Sequence, residues 1–183
     1  MPRKLPLPIG TSNYKKICEK YYYVDKTLLI KEILDDGIEI SLFTRPRRFG
    51  KTLNMDMLRT FFEKTEADTS IYFRDKNIWQ QGEEYTKHQG SYPVIYLSLK
   101  DIKAADWQTA FNLLKISIQT EFARHKELES SNKITKNDSA FYKKILTDEA
   151  NEAEYMLSLQ PLSRMLHEHY GKAPIILIDE YDT

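Results

Sequence analysis

The sequence predicts an α/β fold, a three-layer core on a parallel sheet with a helical insertion before its last strand. Three observations predict it. Apolar and β-branched runs at 38–44, 92–99 and 173–179 alternate with stretches whose apolar residues recur at helical spacing. The first run leads through a turn into an amphipathic stretch, giving the order strand, turn, helix. The last run, Ile175 to Ile178, ends in two acids, Asp179 and Glu180.

Each element follows from its residues. Positions 1–20 are basic and proline-rich and are expected to be extended. Residues 21–37 read as a helix in which Asp25 serves as a cap, Leu29, Ile30, Ile33 and Leu34 make the buried stripe, and Gly37 fits the end. Residues 38–44, IEISLFT, read as a strand. After the turn, Leu53, Met57, Leu58, Phe61 and Phe62 recur at helical spacing. Residues 65–92 are polar with scattered aromatics and define no element.

The run 92–99, YPVIYLSL, is a strand apolar enough to be buried on both faces. A long helix is expected over 104–128, with Trp107, Phe111, Leu114, Ile118 and Phe122 on one side. After a polar loop at 129–138, helices are expected near 139–150 and 158–170, the second closing at Gly171. The spacer 100–173 exceeds one βα unit, which predicts two or three helices there. The organisation expected is an N-terminal extension and helix over 1–36, then one domain over 37–183.

Bulk properties narrow the function. A chain of 183 residues, 41% hydrophobic, has material for one core. Lys and Arg number 27, as do Asp and Glu, so no net field argues for nucleic acid or an anionic membrane, although a local basic patch is compatible with this balance. The lone Cys18 excludes an internal disulfide and fits a reducing compartment. No long apolar stretch opens the chain, so neither a signal peptide nor a membrane span is expected, and the location expected is cytoplasmic. His167 and His169 stand two apart on an expected helix and make a poor metal pair, and His88 and His125 read as isolated surface histidines. Cys18 has no identifiable base partner.

The chemistry sits in residues 43–52, FTRPRRFGKT. In a phosphate-binding loop, backbone N–H groups at a helix N-terminus hold phosphate oxygens, and a glycine lets the backbone come close. Gly50 fills that role, Lys51 reaches the β- and γ-phosphates, and the Thr52 hydroxyl ligates Mg²⁺. Such a triplet also opens ordinary amphipathic helices. Likewise, Ile175–Glu180 has the shape of a Walker B strand, in which Asp179 holds the Mg²⁺ shell and Glu180 polarises water, yet buried strands often exit into acidic loops. Both elements occur in the expected order, each with its strand, and together they favour a nucleotide site. The loop pattern asks for glycine at position 45, where this chain has Arg45, and Pro46 stiffens the entrance by fixing its own φ.

The stretches YYYVDKTLLI, LFTRPRRFGKT, YPVIYLSL and IILIDEYD together resemble the AAA-ATPase-like family of bacterial and archaeal proteins. These pair a phosphate-loop NTPase domain with a C-terminal nuclease-like domain of the PD-(D/E)XK type. An arginine in place of the first glycine is that family's own variant of the loop. The resemblance covers nearly the whole chain. It implies ATP and Mg²⁺ as cofactors, with Arg47, Arg48, Phe49, Gly50, Lys51 and Thr52 at the nucleotide, Thr52 and Asp179 at the metal, and Lys51 and Glu180 in catalysis.

For Arg47 and Arg48 three roles stay open: strengthening the field at the triphosphate, facing a partner subunit or nucleic acid, or plain solvation. Asp25, in the matching YVDKT, fits a helix cap better than a nucleotide contact. The resemblance also implies strands, a sensor residue and an arginine beyond Thr183, so this chain is expected to be the family's N-terminal part, truncated after the Walker B strand. Hydrolysis is then expected of the complete protein, and negligible turnover of this piece alone. The rival readings are a nucleotide-dependent switch and a nucleic-acid-binding module of a nuclease-type system. The partners implied are nucleotide, nucleic acid through the C-terminal domain, and further copies of the chain, with no membrane.

Overall fold

The structure, a computed structural model, describes residues 5–44 and 49–180. These form eight α-helices and two parallel strands, an α/β arrangement. The chain divides into two compact units, 1–91 and 92–183. The boundary expected at residue 36 lies within the first of them.

The first unit is helical. Its elements are α1 (Tyr14–Lys20), α2 (Leu28–Asp36), α3 (Lys51–Phe62) and the single turn α4 (Glu83–Thr86), with 3-10 turns at Thr69–Tyr72 and Trp79–Gln81. The expectation that residues 1–20 are extended is corrected: Asn13 caps α1 by accepting the Lys16 N–H, and Tyr14 and Ile17 bury completely one helical turn apart. The side of α3 that carries Met57, Leu58, Phe61 and Phe62 is buried as its spacing predicts. Tyr14 stacks on Phe73 at 5.2 Å between ring centroids, and Phe73 meets Phe61 edge-on at 5.1 Å. Helix α2 starts later than expected, and of its expected stripe only Ile30 is fully buried, with Leu29, Ile33 and Leu34 half-buried.

The strand expected over 38–44 does not form. Ile38, Ile40 and Leu42, which alternate as a half-buried strand would, are 59, 85 and 64% exposed. Alternation supplies a face but no partner, and a strand exists only where a neighbour takes its backbone hydrogen bonds.

The second unit carries the sheet. Strands β1 (Val94–Ser98) and β2 (Ile175–Asp179) pair in parallel, with Val94 opposite Ile175 and Ser98 opposite Asp179. Among the described residues the sheet has these two strands, and the connection between them is helical, as parallel pairing requires. That connection holds α5 (Trp107–Arg124), α6 (Lys136–Leu146), α7 (Glu152–Met156) and α8 (Leu159–Tyr170), four helices where two or three were expected. The extra one, α7, is short and held by a reciprocal capping box between Asn151 and Glu154. The core gathers Ile95 and Leu97 of β1 with Phe111, Ile118 and Phe122 of α5, Tyr142 and Ile145 of α6, and Leu162, Met165 and Leu166 of α8. Trp107, expected on the buried side of α5, is exposed and stacks on Phe111 at 5.6 Å.

His125 is not a surface histidine. It is 4% exposed at the end of α5, with Nε2 3.2 Å from Glu121 Oε1 and Nδ1 3.3 Å from Glu127 Oε1. The same Glu121 oxygen accepts the Tyr96 N–H of β1 at 2.8 Å and pairs with Arg124 at 2.6 Å, while the Arg124 guanidinium also donates to the Val94 carbonyl. Burial opposes a charged imidazole, but the two carboxylates outweigh it and hold the His125 pKa above its ordinary value. Burial likewise opposes the Glu121 carboxylate, and its bonds to His125 and Arg124 overcome that and lower its pKa. This network fixes α5 against β1.

Candidate functional site

The turn into α3 is built around Gly50. Its φ of 77° is left-handed, a conformation glycine adopts without steric penalty, and it occupies the N-cap position of the helix. No side chain caps α3, and no acid lies in its first turn. The positive end of this helix thus begins with Lys51 and Thr52, both half-buried, and no carboxylate of its own first turn offsets it. Phe49, just before, is 59% exposed. Behind the turn, Asp56 holds α3 from its buried side by accepting the Tyr14 N–H at 2.7 Å and pairing with Arg59 at 2.8 Å. Arg45, Pro46, Arg47 and Arg48, the stiff arginine-rich entrance read from the sequence, lie outside the described residues.

The second element lies in the second unit. Alternation along β2 turns Leu177 and Asp179 to its buried side and leaves Ile176 and Ile178 exposed. Asp179 ends the strand at 2% exposure, and its backbone carbonyl accepts the Leu99 N–H at 3.0 Å. Its carboxylate Oδ2 is buried and has no hydrogen-bond partner among the described residues. An unpaired buried oxygen costs on the order of 1–3 kcal/mol, so it points to a group that would satisfy it. Glu180 follows with φ at 54°, a left-handed conformation that strains a residue with a Cβ and turns the chain off the strand axis. Such strain concentrates at functional sites, and here it falls on the second acid read from the sequence.

Each unit holds hard oxygen donors of the kind Mg²⁺ takes: the Thr52 hydroxyl at the start of α3 in the first, and the buried Asp179 carboxylate at the end of β2 in the second. Gly50, Lys51 and Thr52 stand together at the start of α3, and Asp179 and Glu180 stand together at the end of β2.

Sequence reasoning did not find three features. The cap of α1 was signalled by Asn13 ahead of Tyr14 and Ile17, and that of α7 by Asn151 with Glu154 three residues on. The third lies beside the loop: a methyl group added to Gly50 would sit 3.9 Å from Lys26 Nζ. The only sequence signal for it is that Lys26 belongs to the YVDKT stretch. Asp25 of that stretch does not cap α2, whose N-cap is Thr27; its Oδ1 accepts the Thr27 N–H and its Oδ2 the Asn77 N–H.

Residues 8–183 match the model of a family described as Predicted AAA-ATPase. The chain is also 30% identical over 184 residues to a protein of Azotobacter chroococcum mcd 1 described as "Uncharacterized protein in vnfD 5'region". That alignment takes in 100% of this chain and 30% of the relative, so the chain spans about a third of the length of the protein it matches. No solved structure matches it. No helix among the described residues is long and apolar enough to cross a membrane.

Proposed function

We propose a function from one premise: the chain belongs to the Predicted AAA-ATPase family. It binds ATP with Mg²⁺, and the complete protein hydrolyses it. The observation that carries this reading is the start of α3, where left-handed Gly50 delivers Lys51 and Thr52 to an uncapped helix N-terminus. The α/β arrangement is then part of a three-layer phosphate-loop core.

The roles follow from the side chains. Backbone N–H groups at the start of α3 bind phosphate oxygens, aided by the helix dipole. Lys51 donates charge-assisted hydrogen bonds to the β- and γ-phosphates, where negative charge builds as the γ-phosphoryl group departs. Mg²⁺, held by the Thr52 hydroxyl and the Asp179 carboxylate, would neutralise charge on the phosphates. Glu180 accepts the proton of the water that attacks the γ-phosphorus while the bond to the β-phosphate oxygen breaks.

Affinity for ATP measured with Mg²⁺ and with EDTA tests the metal half. Wild-type protein should bind more tightly with Mg²⁺, and Asp179→Asn should lose that difference. Equal Mg²⁺ enhancement in the variant would remove Asp179 from the metal. A protein that binds ATP but releases no phosphate would favour a nucleotide-dependent switch.

A further inference from the structure

We propose that Lys26 is a second phosphate-binding lysine of this loop, one that makes the site selective for a run of phosphates. The inference rests on the triphosphate reading above. It begins with the Lys26 ammonium lying over the Gly50 turn, 3.9 Å from where a Cβ on that glycine would stand.

The turn that presents Lys26 is clamped. Asp25 Oδ1 accepts the N–H and the hydroxyl of Thr27 at 2.8 and 2.7 Å, and Oδ2 accepts the Asn77 N–H at 2.7 Å. The fully buried Thr27 accepts the Ile78 N–H on its own hydroxyl at 3.1 Å. Tyr23 accepts the Lys26 N–H and donates its hydroxyl to Met57 Sδ of α3, each at 3.3 Å. The backbone of Lys26 is thus tied to the helix that the loop opens. Its side chain is exposed and, among the described residues, makes no ion pair or hydrogen bond.

Charge completes the argument. Asp25, the adjacent carboxylate, spends both oxygens on the turn and does not pair with Lys26. Lys51 likewise has no ion pair among the described residues, and α3 has no acid in its first turn. The Lys26 ammonium thus lies at the turn that opens α3, beside the positive end of the helix whose first residue is Lys51. Cations are unfavourable there, and a polyphosphate reverses the sign of that interaction. A single phosphate would engage the helix end and one lysine. A triphosphate is long enough to engage both.

The test compares ATP and AMP binding to the full-length protein by calorimetry. Lys26→Ala should weaken ATP about tenfold, the loss of roughly one charge-assisted contact, and leave AMP nearly unchanged. Lys26→Arg should retain most of the ATP affinity. The ATP affinity of Lys26→Ala should also fall less steeply with added salt than that of the wild type. Should Lys26→Ala prove poorly folded, Lys26→Gln keeps the stem and is measured in the same way. ATP affinity unchanged in a folded Lys26 variant, while Lys51→Ala loses it, would overturn this inference alone. Failure of the wild type itself to bind ATP would overturn the triphosphate reading and this inference together.

Discussion

Tyr14 of α1 donates its backbone N–H to Asp56 Oδ2 of α3 at 2.7 Å. The bond joins the first helix of the chain to the helix that opens with Lys51. Asp56 is buried, its other oxygen pairs with Arg59, and Tyr14 is fully buried. One carboxylate thus satisfies a helix-end N–H and orients the core aromatic that stacks on Phe73.

Asp56→Ala should therefore destabilise the protein by about 2–3 kcal/mol, since it leaves a buried N–H without an acceptor. Chemical unfolding of the variant measures this. A change below about 0.5 kcal/mol, the size of an ordinary surface substitution, would show that the bond does not hold α1 to α3.

Gly50→Ala should lose about 1 kcal/mol from left-handed strain alone, because among the described residues a Cβ there meets nothing closer than 3.9 Å. The same change should weaken ATP binding by tilting the first turn of α3. Unfolding midpoints and ATP titration read the two effects separately.

Much of this fold is legible in the sequence because periodicity reports burial. Met57, Leu58, Phe61 and Phe62, and again Phe111, Ile118 and Phe122, lie buried where helical spacing puts them. Strand β2 runs from Ile175 to the first of its two acids as read. Partnership is what the pattern does not carry. Ile38, Ile40 and Leu42 alternate like a strand and stay exposed, because alternation does not specify a neighbour. The partners of His125 are local, Glu121 four residues before it and Glu127 two after; what the spacing does not show is that the group is buried, with Glu121 also accepting the Tyr96 N–H of β1. The site was legible as motifs, Gly50 to Thr52 and Asp179 with Glu180. The unpartnered Asp179 oxygen and the reach of Lys26 to Gly50 needed three dimensions.

The His125 network should make stability depend on pH. Its pKa is raised on folding, so its contribution is complete below the ordinary value of 6.5 and is lost as pH rises through the higher folded value. The lowered pKa of Glu121 works in the opposite sense: its contribution is present above the ordinary 4.5 and fades as pH falls through the folded value. The thermal midpoint should fall as pH is raised from about 6 to about 9. His125→Gln should flatten that slope and lower stability near pH 6. A wild-type slope that survives in the variant would assign it to another group.

In the complete protein, Glu180→Gln should keep ATP affinity and lose turnover by about 10²–10⁴-fold, the usual worth of a positioned base. Steady-state phosphate release checks it. Turnover near the wild-type rate would take Glu180 out of the water-activating role and leave its strained backbone without a catalytic reason.

The most direct measurement is ATP binding to full-length Lys51→Ala beside wild type, by calorimetry at matched salt, with the thermal midpoint as a control for folding. The lysine charge at the β- and γ-phosphates has no substitute among backbone N–H groups. The account predicts that the variant folds as the wild type does and that its ATP binding is abolished. A folded Lys51→Ala protein that binds ATP as tightly as wild type would contradict the assignment of the α3 loop as the nucleotide site.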